Sequence, residues 1–430
     1  MSKLLVFCID ALCSCDVEQM REMPHFGEYM KNCSLVRNIH PVWPALTYCC
    51  HTSIITGCYV DRHGVDNNEK VIRGGHYGSP WYGKRSDVKV PTLLDRAREH
   101  GMTTCSLSWP VSGGADYDMN MPMIVPYGYI GYDPTPYLKG MATDNLMDRY
   151  FYKHGRYIKG PDRSLDLLTM ALALDILEDY EQPDVMLVKM CDLDGARHTY
   201  GVHHERVHDQ LRKHDEEFGA IIEALRRKGT LEETNIVILG DHGQTDITAA
   251  LNINVLLRKA GFIRLNEDGS IADYDAIAHS ACLCAYIELK NPDDAAMKAK
   301  VRAYLESLKD ERDIMLDYVY DKQEAQKIYR VAGDFDFIIE SRLPISFCEQ
   351  LEGEEIFSRR VPGDHKVGAA THGGNPSRRE LTTFIAAGPD IKPGVEIDSR
   401  SMVDEAPTMA RMLGFTMPEV DGKAIEEILR

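Results

Sequence analysis

The amino-acid sequence predicts an α/β fold of three layers, in which a mostly parallel central sheet lies between helices. Near-continuous apolar runs, typical of strands covered on both faces, recur along the chain. Segments with apolar residues at helical spacing separate these runs, as in a sheet built from strand–helix–strand units. A chain of 430 residues is long enough for one large domain with an elaboration, or for two domains.

Five apolar runs are predicted strands of this sheet, at residues 3–10, 103–109, 184–194, 235–243 and 382–388. Three helices are predicted between them, at residues 91–101, 164–180 and 206–229. The first of these helices begins with Pro91 and stops at Gly101, which are the residue types that helix starts and helix ends favour.

A more charged region interrupts this alternation from about residue 252 to about residue 364. It has a small α/β pattern of its own, and the pattern of the main sheet resumes after it. We therefore predict that residues 1–251 and 365–430 form the core, and that residues 252–364 form a smaller inserted α/β cap or subdomain.

The charge and composition of the chain limit the classes of molecule that it is expected to bind. The formal net charge of −18 argues against a nucleic-acid polymer, but a small phosphorylated substrate is compatible with it if bound metal ions reverse the sign locally. We expect no membrane partner, because no apolar stretch approaches the roughly 20 residues of a membrane span. Cysteines in apolar contexts and the lack of a secretory pattern predict a cytoplasmic protein. The sequence leaves open whether the protein forms a homo-oligomer.

Several predicted strands end at residues that can bind metals. Taken singly, such residues are more often helix caps, turn residues or surface residues. Ligands of open α/β sheets bind outside the carboxyl ends of the strands, so these groups are expected to meet at one edge. Together the three aspartates and three histidines predict two divalent metals with mixed oxygen and nitrogen ligands. They are Asp10, Asp194, His198, Asp241, His242 and His372.

Thr47 lies in residues 41–57, a run too apolar for a surface loop and rich in proline and cysteine. Residues 44–47 are predicted to form a turn before a helix that begins near Tyr48. Two metals suit in-line displacement at phosphorus, and a hydroxyl beside a metal is an effective nucleophile at neutral pH. Thr47 is therefore a predicted nucleophile. The alternative is that it only caps the helix.

The motifs FCIDAL, PALTYCCHTSIITGCYVDRHGVDNN, DLDGARHTYG, LGDHG and THGG occur in this order along the chain. As a set they resemble the type I phosphodiesterase / nucleotide pyrophosphatase branch of the alkaline phosphatase superfamily. The resemblance spans almost the whole chain and is weakest from about residue 265 to about residue 360. It implies an alkaline phosphatase-like fold and a two-zinc phosphohydrolase that cleaves phosphodiester or nucleotide pyrophosphate bonds.

The resemblance also implies roles for individual residues. Thr47 would become transiently phosphorylated or nucleotidylated, and Asn68 would donate to a phosphate oxygen, with Asn67 as the fallback. Zinc is the implied metal, and mixed aspartate and histidine ligands also favour it, although other divalent metals stay open. One zinc would be held by Asp10, Asp241, His242 and the oxygen of Thr47. The other would be held by Asp194, His198 and His372.

The chain departs from the family pattern after the nucleophile. The family usually has Phe-Pro-Asn-His there, whereas Tyr48, Cys49, Cys50 and His51 follow Thr47. Tyr48 is predicted either to stack on a base or leaving group or simply to pack, and the two cysteines are predicted to fill space.

Two further features allow more than one interpretation. Residues 74–87 could stack a base or lipid head group, or form a glycine-rich surface loop. The remaining histidines near these motifs could line the pocket, but surface or loop roles are expected for them; they are His76, His203, His204 and His365.

Sibling activities on the same scaffold are the alternatives to a diesterase. They are a phosphonoacetate hydrolase-like C–P hydrolase, a phosphomonoesterase and a phosphomutase. A more remote alternative is a non-catalytic metal-binding protein. The substrate contacts that would separate these activities are expected in the variable insertion.

Overall fold

A computed structural model describes residues 2–74, 80–123, 133–159, 163–179, 181–378 and 381–430. Its main element is an eight-stranded sheet. All neighbouring strands run parallel except the two pairs made by the strand Thr382–Ala387, which confirms the predicted α/β class with a mostly parallel sheet. The strand order is Glu396–Ser401, Ser34–His40, Thr382–Ala387, Thr234–Leu239, Lys3–Ile9, Val185–Met190, Thr104–Trp109 and Met119–Pro122.

The predicted layers follow from the two faces of the central strand Lys3–Ile9. Leu4, Val6 and Cys8 belong to the apolar cluster on one face. Leu5, Phe7 and Ile9 belong to the cluster on the other. Alternate residues of a strand point to opposite faces, so a strand that is apolar throughout must be covered on both sides.

All five predicted strands lie in this sheet, but three of its strands were missed. Ser34–His40 and Glu396–Ser401 carry polar or charged residues at several positions, and Met119–Pro122 has only four residues. Glu396–Ser401 and Met119–Pro122 are the two edges of the sheet. Edge strands are often short or charged, so they lack the apolar run by which buried strands are found.

The predicted helices are confirmed with small shifts of their ends. They are Thr47–Thr56, Leu93–Glu99, Leu165–Asp179 and Glu205–Lys228. The second begins after Pro91 because Thr92 caps it, with Thr92 Oγ1 accepting from the backbone N–H of Asp95.

One predicted strand end is wrong. The strand predicted for residues 184–194 stops at Met190, and a helix, Asp192–Tyr200, follows. Asp194 therefore lies in the first turn of a helix. His198 lies one turn later on the same helical face, where residues four apart are neighbours.

Residues 252–364 contribute no strand to the eight-stranded sheet. They contain an antiparallel four-stranded sheet with its own apolar cluster. The order of its strands is Ala276–Ala281, Cys284–Leu289, Phe337–Ser341 and Leu316–Asp321. Helices Ile253–Lys259, Ala295–Ser307 and Lys322–Tyr329 accompany it. The division of the chain into a core and an inserted cap stays a prediction.

Short elements complete the described chain. The short strands are Thr245–Asp246, Ala249–Asn252, Ile263–Leu265, Ile271–Tyr274, Ile345–Cys348, Phe357–Ser358 and Ala370–Thr371. The remaining α-helices are Val17–Arg21, Pro24–Met30, Val60–His63, Thr135–Leu138, Asp144–Leu146, Tyr152–His154 and Glu405–Met412. None of the helices formed by the described residues combines the length and the apolar character that a bilayer crossing requires.

Candidate active site

The site lies at the carboxyl edge of the central strands. Asp10 directly follows the strand Lys3–Ile9, and Asp241 follows the parallel neighbour Thr234–Leu239. The strand Val185–Met190, on the other side of Lys3–Ile9, leads into the helix that carries Asp194. Ligands of open α/β sheets bind at this edge, so the topology brings the predicted groups together.

The first cluster consists of Asp10, Asp241 and His242, whose candidate ligand atoms all lie within 4.8 Å of one another. His242 Nε2 is 3.1 Å from Asp241 Oδ2 and 3.5 Å from Asp10 Oδ1. Thr47 Oγ1 lies 3.2 Å from the same nitrogen. The predicted nucleophile and three predicted ligands thus converge on one point.

The second cluster contains Asp194, His198 and His372, and also His365. Asp194 Oδ2 is 3.3 Å from His198 Nε2, and its Oδ1 is 3.7 Å from His372 Nε2. The His372 ring stacks on the His242 ring with 3.8 Å between centroids, so the two clusters adjoin.

The hydrogen bonds of three histidines fix which ring nitrogen faces the clusters. Nδ1 contacts a backbone carbonyl in each: Gly243 O at 3.0 Å for His242, Ala370 O at 2.8 Å for His198, and Ala45 O at 3.0 Å for His372. A carbonyl oxygen only accepts, so Nδ1 carries the proton and Nε2 of each neutral ring presents a lone pair. This arrangement orients metal-binding histidines.

Two buried carboxylate oxygens in the first cluster have no hydrogen-bond partner among the described residues. They are Asp10 Oδ1 and Asp241 Oδ2. Buried charged oxygens that face lone pairs are costly unless a cation lies between them. The first cluster therefore fits a divalent cation, and the Nε2 lone pairs of His198 and His372 beside Asp194 fit a second.

Lys189 supplies positive charge that was not predicted. It is fully buried, and its Nζ lies 2.5 Å from Asp10 Oδ2. Burial and the neighbouring Asp241 raise the pKa of Asp10, and Lys189 opposes that shift. The pair leaves Asp10 Oδ1 as the oxygen that faces His242. A lysine inside the apolar run VMLVKM is the sequence signal for this role.

His51 is a second residue whose role was not predicted. It lies one helical turn after Thr47, and its Nδ1–H donates to the carbonyl oxygen of Thr47 at 2.7 Å. The same nitrogen is 3.2 Å from Asp241 Oδ2. Burial alone would raise the pKa of Asp241, but the neighbouring His242 and His51 rings hold it below its usual value. The signal for His51 is its spacing of four residues from Thr47.

Thr47 is the first residue of its helix, as predicted to within one position. The N-cap position is Leu46, and no side chain caps this end. The alternative in which Thr47 serves only as a cap is therefore wrong. Thr47 is 7% exposed and lines a cavity of about 390 Å³. The free N–H groups of a helix start favour an anion at this place.

Asn68 fits its predicted role better than Asn67. Its Oδ1 accepts from the backbone N–H of Tyr48 at 3.0 Å, which fixes the amide beside Thr47. Asn67 instead donates through Nδ2 to Ser280 O at 3.4 Å. Both asparagines line the cavity.

The surroundings of Tyr48 favour packing over base stacking. The ring is 1% exposed and meets the edge of Trp81, with 5.3 Å between ring centroids. Cys49 and Cys50 are fully buried in the core, which agrees with their predicted filling role.

The remaining predicted loop residues differ in position. His203 and His204 are exposed. His76 and residues 75–79 of the aromatic stretch lie outside the described residues, while Trp81 lines the cavity. His365 is exposed on a loop, as expected, but it also belongs to the second cluster.

The cavity extends from the two clusters to residues of the predicted cap. Ile277, Ala278 and Ser280 line it from the strand Ala276–Ala281, and Glu349 lines it from a nearby loop. A substrate at Thr47 would therefore contact the region that was predicted to set specificity.

A family model described as "Type I phosphodiesterase / nucleotide pyrophosphatase" matches residues 4–374. The chain is similar to the bis(5'-adenosyl)-triphosphatase of Bos taurus, with 23% identity over 96% of this chain and 78% of that protein. Matches to the Pongo abelii and Homo sapiens proteins of the same description span only 50% of their length. The Mus musculus ectonucleotide pyrophosphatase/phosphodiesterase family member 7 is 21% identical over 98% of this chain and 85% of its own.

A solved structure shows the same fold. Murine ectonucleotide pyrophosphatase / phosphodiesterase 5 superposes over 100% of both chains with a TM-score of 0.69 and 16% identity. An inactive form of that protein, solved in complex with AMP, superposes with a TM-score of 0.68 and 15% identity. At this identity the likeness concerns the fold alone.

Proposed function

Because the chain belongs to the type I phosphodiesterase / nucleotide pyrophosphatase family, we propose that it is a two-zinc hydrolase of phosphodiester or nucleotide pyrophosphate bonds. One observation carries the proposal. Thr47 Oγ1 lies 3.2 Å from His242 Nε2, beside two clusters of carboxylate oxygens and imidazole lone pairs. A hydroxyl held at a helix start beside two cation sites is suited to attack on phosphorus.

The chain's own residues would hold the metals and the substrate. Asp10, Asp241, His242 and Thr47 would hold one zinc, and Asp194, His198 and His372 the other. When bound, the two ions would neutralise the phosphate oxygens and lower the pKa of a hydroxyl that contacts them.

The reaction proceeds in two displacements at phosphorus. Thr47 Oγ1 attacks the phosphorus atom and loses its proton to solvent, while the bond to the leaving oxygen breaks on the opposite side and that oxygen keeps the electron pair. The phosphoryl or nucleotidyl group is then carried on Thr47 until water attacks the same phosphorus and releases the threonine hydroxyl. Asn68 donates to a phosphate oxygen, and the first N–H groups of the helix Thr47–Thr56 face the same charge.

The substrate is proposed to be a small nucleotide or another small phosphodiester. The names of the relatives support this choice, since they describe a bis(5'-adenosyl)-triphosphatase and phosphodiesterases. The apolar lining from Ile277 and Ala278 supports a substrate with an organic group rather than bare phosphate. The cytoplasmic location stays a prediction, and the oligomeric state stays open.

The zinc-loaded protein should be assayed on three substrates that release p-nitrophenol. They are the p-nitrophenyl ester of thymidine 5'-monophosphate, p-nitrophenyl phosphate and a p-nitrophenyl phosphonate. We expect the nucleotide diester to have the highest kcat/KM, and a rapid acid quench to trap its nucleotidyl group on Thr47 by mass spectrometry. A monoester or phosphonate hydrolysed faster would instead assign one of the sibling activities. A quench that labels no residue during turnover would contradict the covalent intermediate.

A further inference from the structure

The loop at residues 359–369 brings a third histidine, and so a fourth candidate ligand, to the second cluster. This loop joins the short strands Phe357–Ser358 and Ala370–Thr371. His365 Nδ1 lies 3.0 Å from His198 Nε2, and the two rings meet edge to face with 4.5 Å between centroids. His365 shares the cluster with Asp194, His198 and His372, all of whose candidate ligand atoms lie within 4.8 Å of one another.

The contact joins two nitrogens that would both face a bound cation. The His198 Nδ1–H is committed to Ala370 O, so its Nε2 can only accept a hydrogen bond or bind a metal. When His198 Nε2 binds a metal, its lone pair can no longer accept from His365. His365 must then turn away, or use its own Nδ1 lone pair with the proton on Nε2. His365 is an exposed residue, so this Nε2–H could stay in contact with water.

The spacing of the ligand atoms agrees with one zinc site. Zn–N bonds of about 2.0–2.1 Å at tetrahedral angles place two ligand atoms about 3.3 Å apart. The corresponding separations are 3.0 Å between His365 and His198, 3.3 Å between His198 and Asp194, and 3.7 Å between His372 and Asp194. These distances need only shifts of a few tenths of an ångström.

The backbone of the loop is fixed to the helix that carries His198. Ala369 N–H donates to His198 O at 2.7 Å, and Thr371 Oγ1 donates to His365 O. Gly368 lies so close that a Cβ built on it would be 2.4 Å from His198 O. These contacts therefore hold the backbone at His365 beside the helix that carries His198.

We propose that His365 is a fourth protein ligand of the metal held by Asp194, His198 and His372. This inference rests on the proposed two-metal site and adds a ligand to it. Four protein ligands are the set of a closed zinc site, whereas a catalytic zinc keeps one position open. His365 is the exposed member of the four. It is therefore the ligand that a substrate phosphate would displace.

The direct test counts imidazole nitrogens bonded to metal. Protein containing ¹⁵N-histidine is loaded with ¹¹³Cd²⁺, and one-bond coupling marks each bonded nitrogen. We expect four coupled nitrogens in the parent, from His198, His242, His365 and His372, and three in His365→Ala. Zinc affinity is measured in parallel by chelator competition. Mutation of a residue that only hydrogen-bonds to a metal ligand lowers metal affinity by roughly 10–100-fold. Loss of a ligand itself should therefore weaken zinc binding at one site by at least about tenfold.

Two control variants separate ligation from other effects. His279→Ala removes a histidine that lines the same cavity but pairs with Glu288 at 2.9 Å, and it should keep four coupled nitrogens. Lys366→Ala breaks the ion pair between the loop and Glu349 without removing an imidazole, and it should keep the parental zinc affinity. Three coupled nitrogens in the parent would overturn the inference and leave the proposed function intact. If four coupled nitrogens were found but no phosphorus substrate were hydrolysed, the proposed function would be rejected and the inference about His365 would stand.

Discussion

At the scale of single residues, Thr47 is the position where stability and catalysis can be separated. Its side chain caps nothing, so replacement by alanine should cost well under the ~1 kcal/mol of a lost helix cap. Thr47→Ala should nevertheless lower kcat by roughly three orders of magnitude or more, because it removes the attacking oxygen. Thr47→Ser should keep part of the activity. Rates are measured on the nucleotide diester at saturating zinc.

Thr52 provides the matched control for this prediction. It lies on the same helix and is buried, and its Oγ1 donates to Tyr48 O at 2.7 Å. Thr52→Ala removes the same atoms without touching the clusters, so its kcat should stay within about tenfold of the parent. If Thr47→Ala also stayed in that range, water and not threonine would be the nucleophile.

Asp66 predicts a pH dependence of stability. It is 6% exposed, and burial raises its pKa from 3.8 to about 6, although Tyr82 donates to its Oδ1 at 2.8 Å. A folded-state pKa above the unfolded value means that the folded state binds the proton more tightly. The stabilisation from this proton is present below about pH 4 and is lost as the pH rises through about 6. A difference of about two pKa units corresponds to roughly 3 kcal/mol.

The variant Asp66→Asn isolates this contribution. Its neutral amide keeps an oxygen for Tyr82, so it should match the parent near pH 4 and exceed its unfolding free energy by up to about 3 kcal/mol near pH 7.5. Urea unfolding at the two pH values measures the difference. Asp116→Asn, whose side chain is 98% exposed, should show no such dependence. Equal stability of Asp66→Asn and the parent at both pH values would contradict a raised pKa.

At the scale of elements, one buried ion pair joins two segments that carry proposed metal ligands. Arg197 is fully buried on the helix Asp192–Tyr200 and donates to both carboxylate oxygens of Asp16 at 2.7 Å. It also donates to Ala11 O, in the segment that follows Asp10. The arginine therefore ties the Asp194 helix to the end of the central strand.

Replacement of this arginine should destabilise the fold. Arg197→Met leaves the buried Asp16 carboxylate without its partner, which should cost about 3–5 kcal/mol of unfolding free energy. The control is Arg212→Met, which breaks an exposed pair with Asp209 and should cost less than about 1 kcal/mol. Chemical unfolding of both variants gives the comparison. Similar small losses in both would show that the buried pair adds little.

At the scale of the whole molecule, the two clusters predict a metal content. After zinc loading and desalting, elemental analysis should find close to two equivalents per chain. Ligands that bind only the folded state stabilise it, by about 2.7 kcal/mol per site when free metal is 100 times Kd. A chelator should therefore lower the melting temperature and abolish turnover, and added zinc should restore both. One equivalent or none after loading would contradict the two-metal site.

The sequence by itself determined the fold class and most of the site. Strands covered on both faces must be apolar throughout, so runs such as residues 3–10 and 235–243 could be recognised locally. Asp10 and Asp241 lie at the ends of these runs, so the general rule for open sheets was enough to place them at one edge. The family motifs, each contiguous in sequence, identified the other predicted site residues.

Only the tertiary structure decided which distant groups meet. The edge strand Glu396–Ser401 depends on pairing with Ser34–His40, and its own residues are mostly polar. The Lys189 contact with Asp10 spans neighbouring strands, and the His365 contact with His198 spans 167 positions along the chain. Such contacts are set by strand order and loop closure, which no local periodicity encodes. For this reason His365, for which a surface or loop role was expected, lies beside the proposed metal ligands.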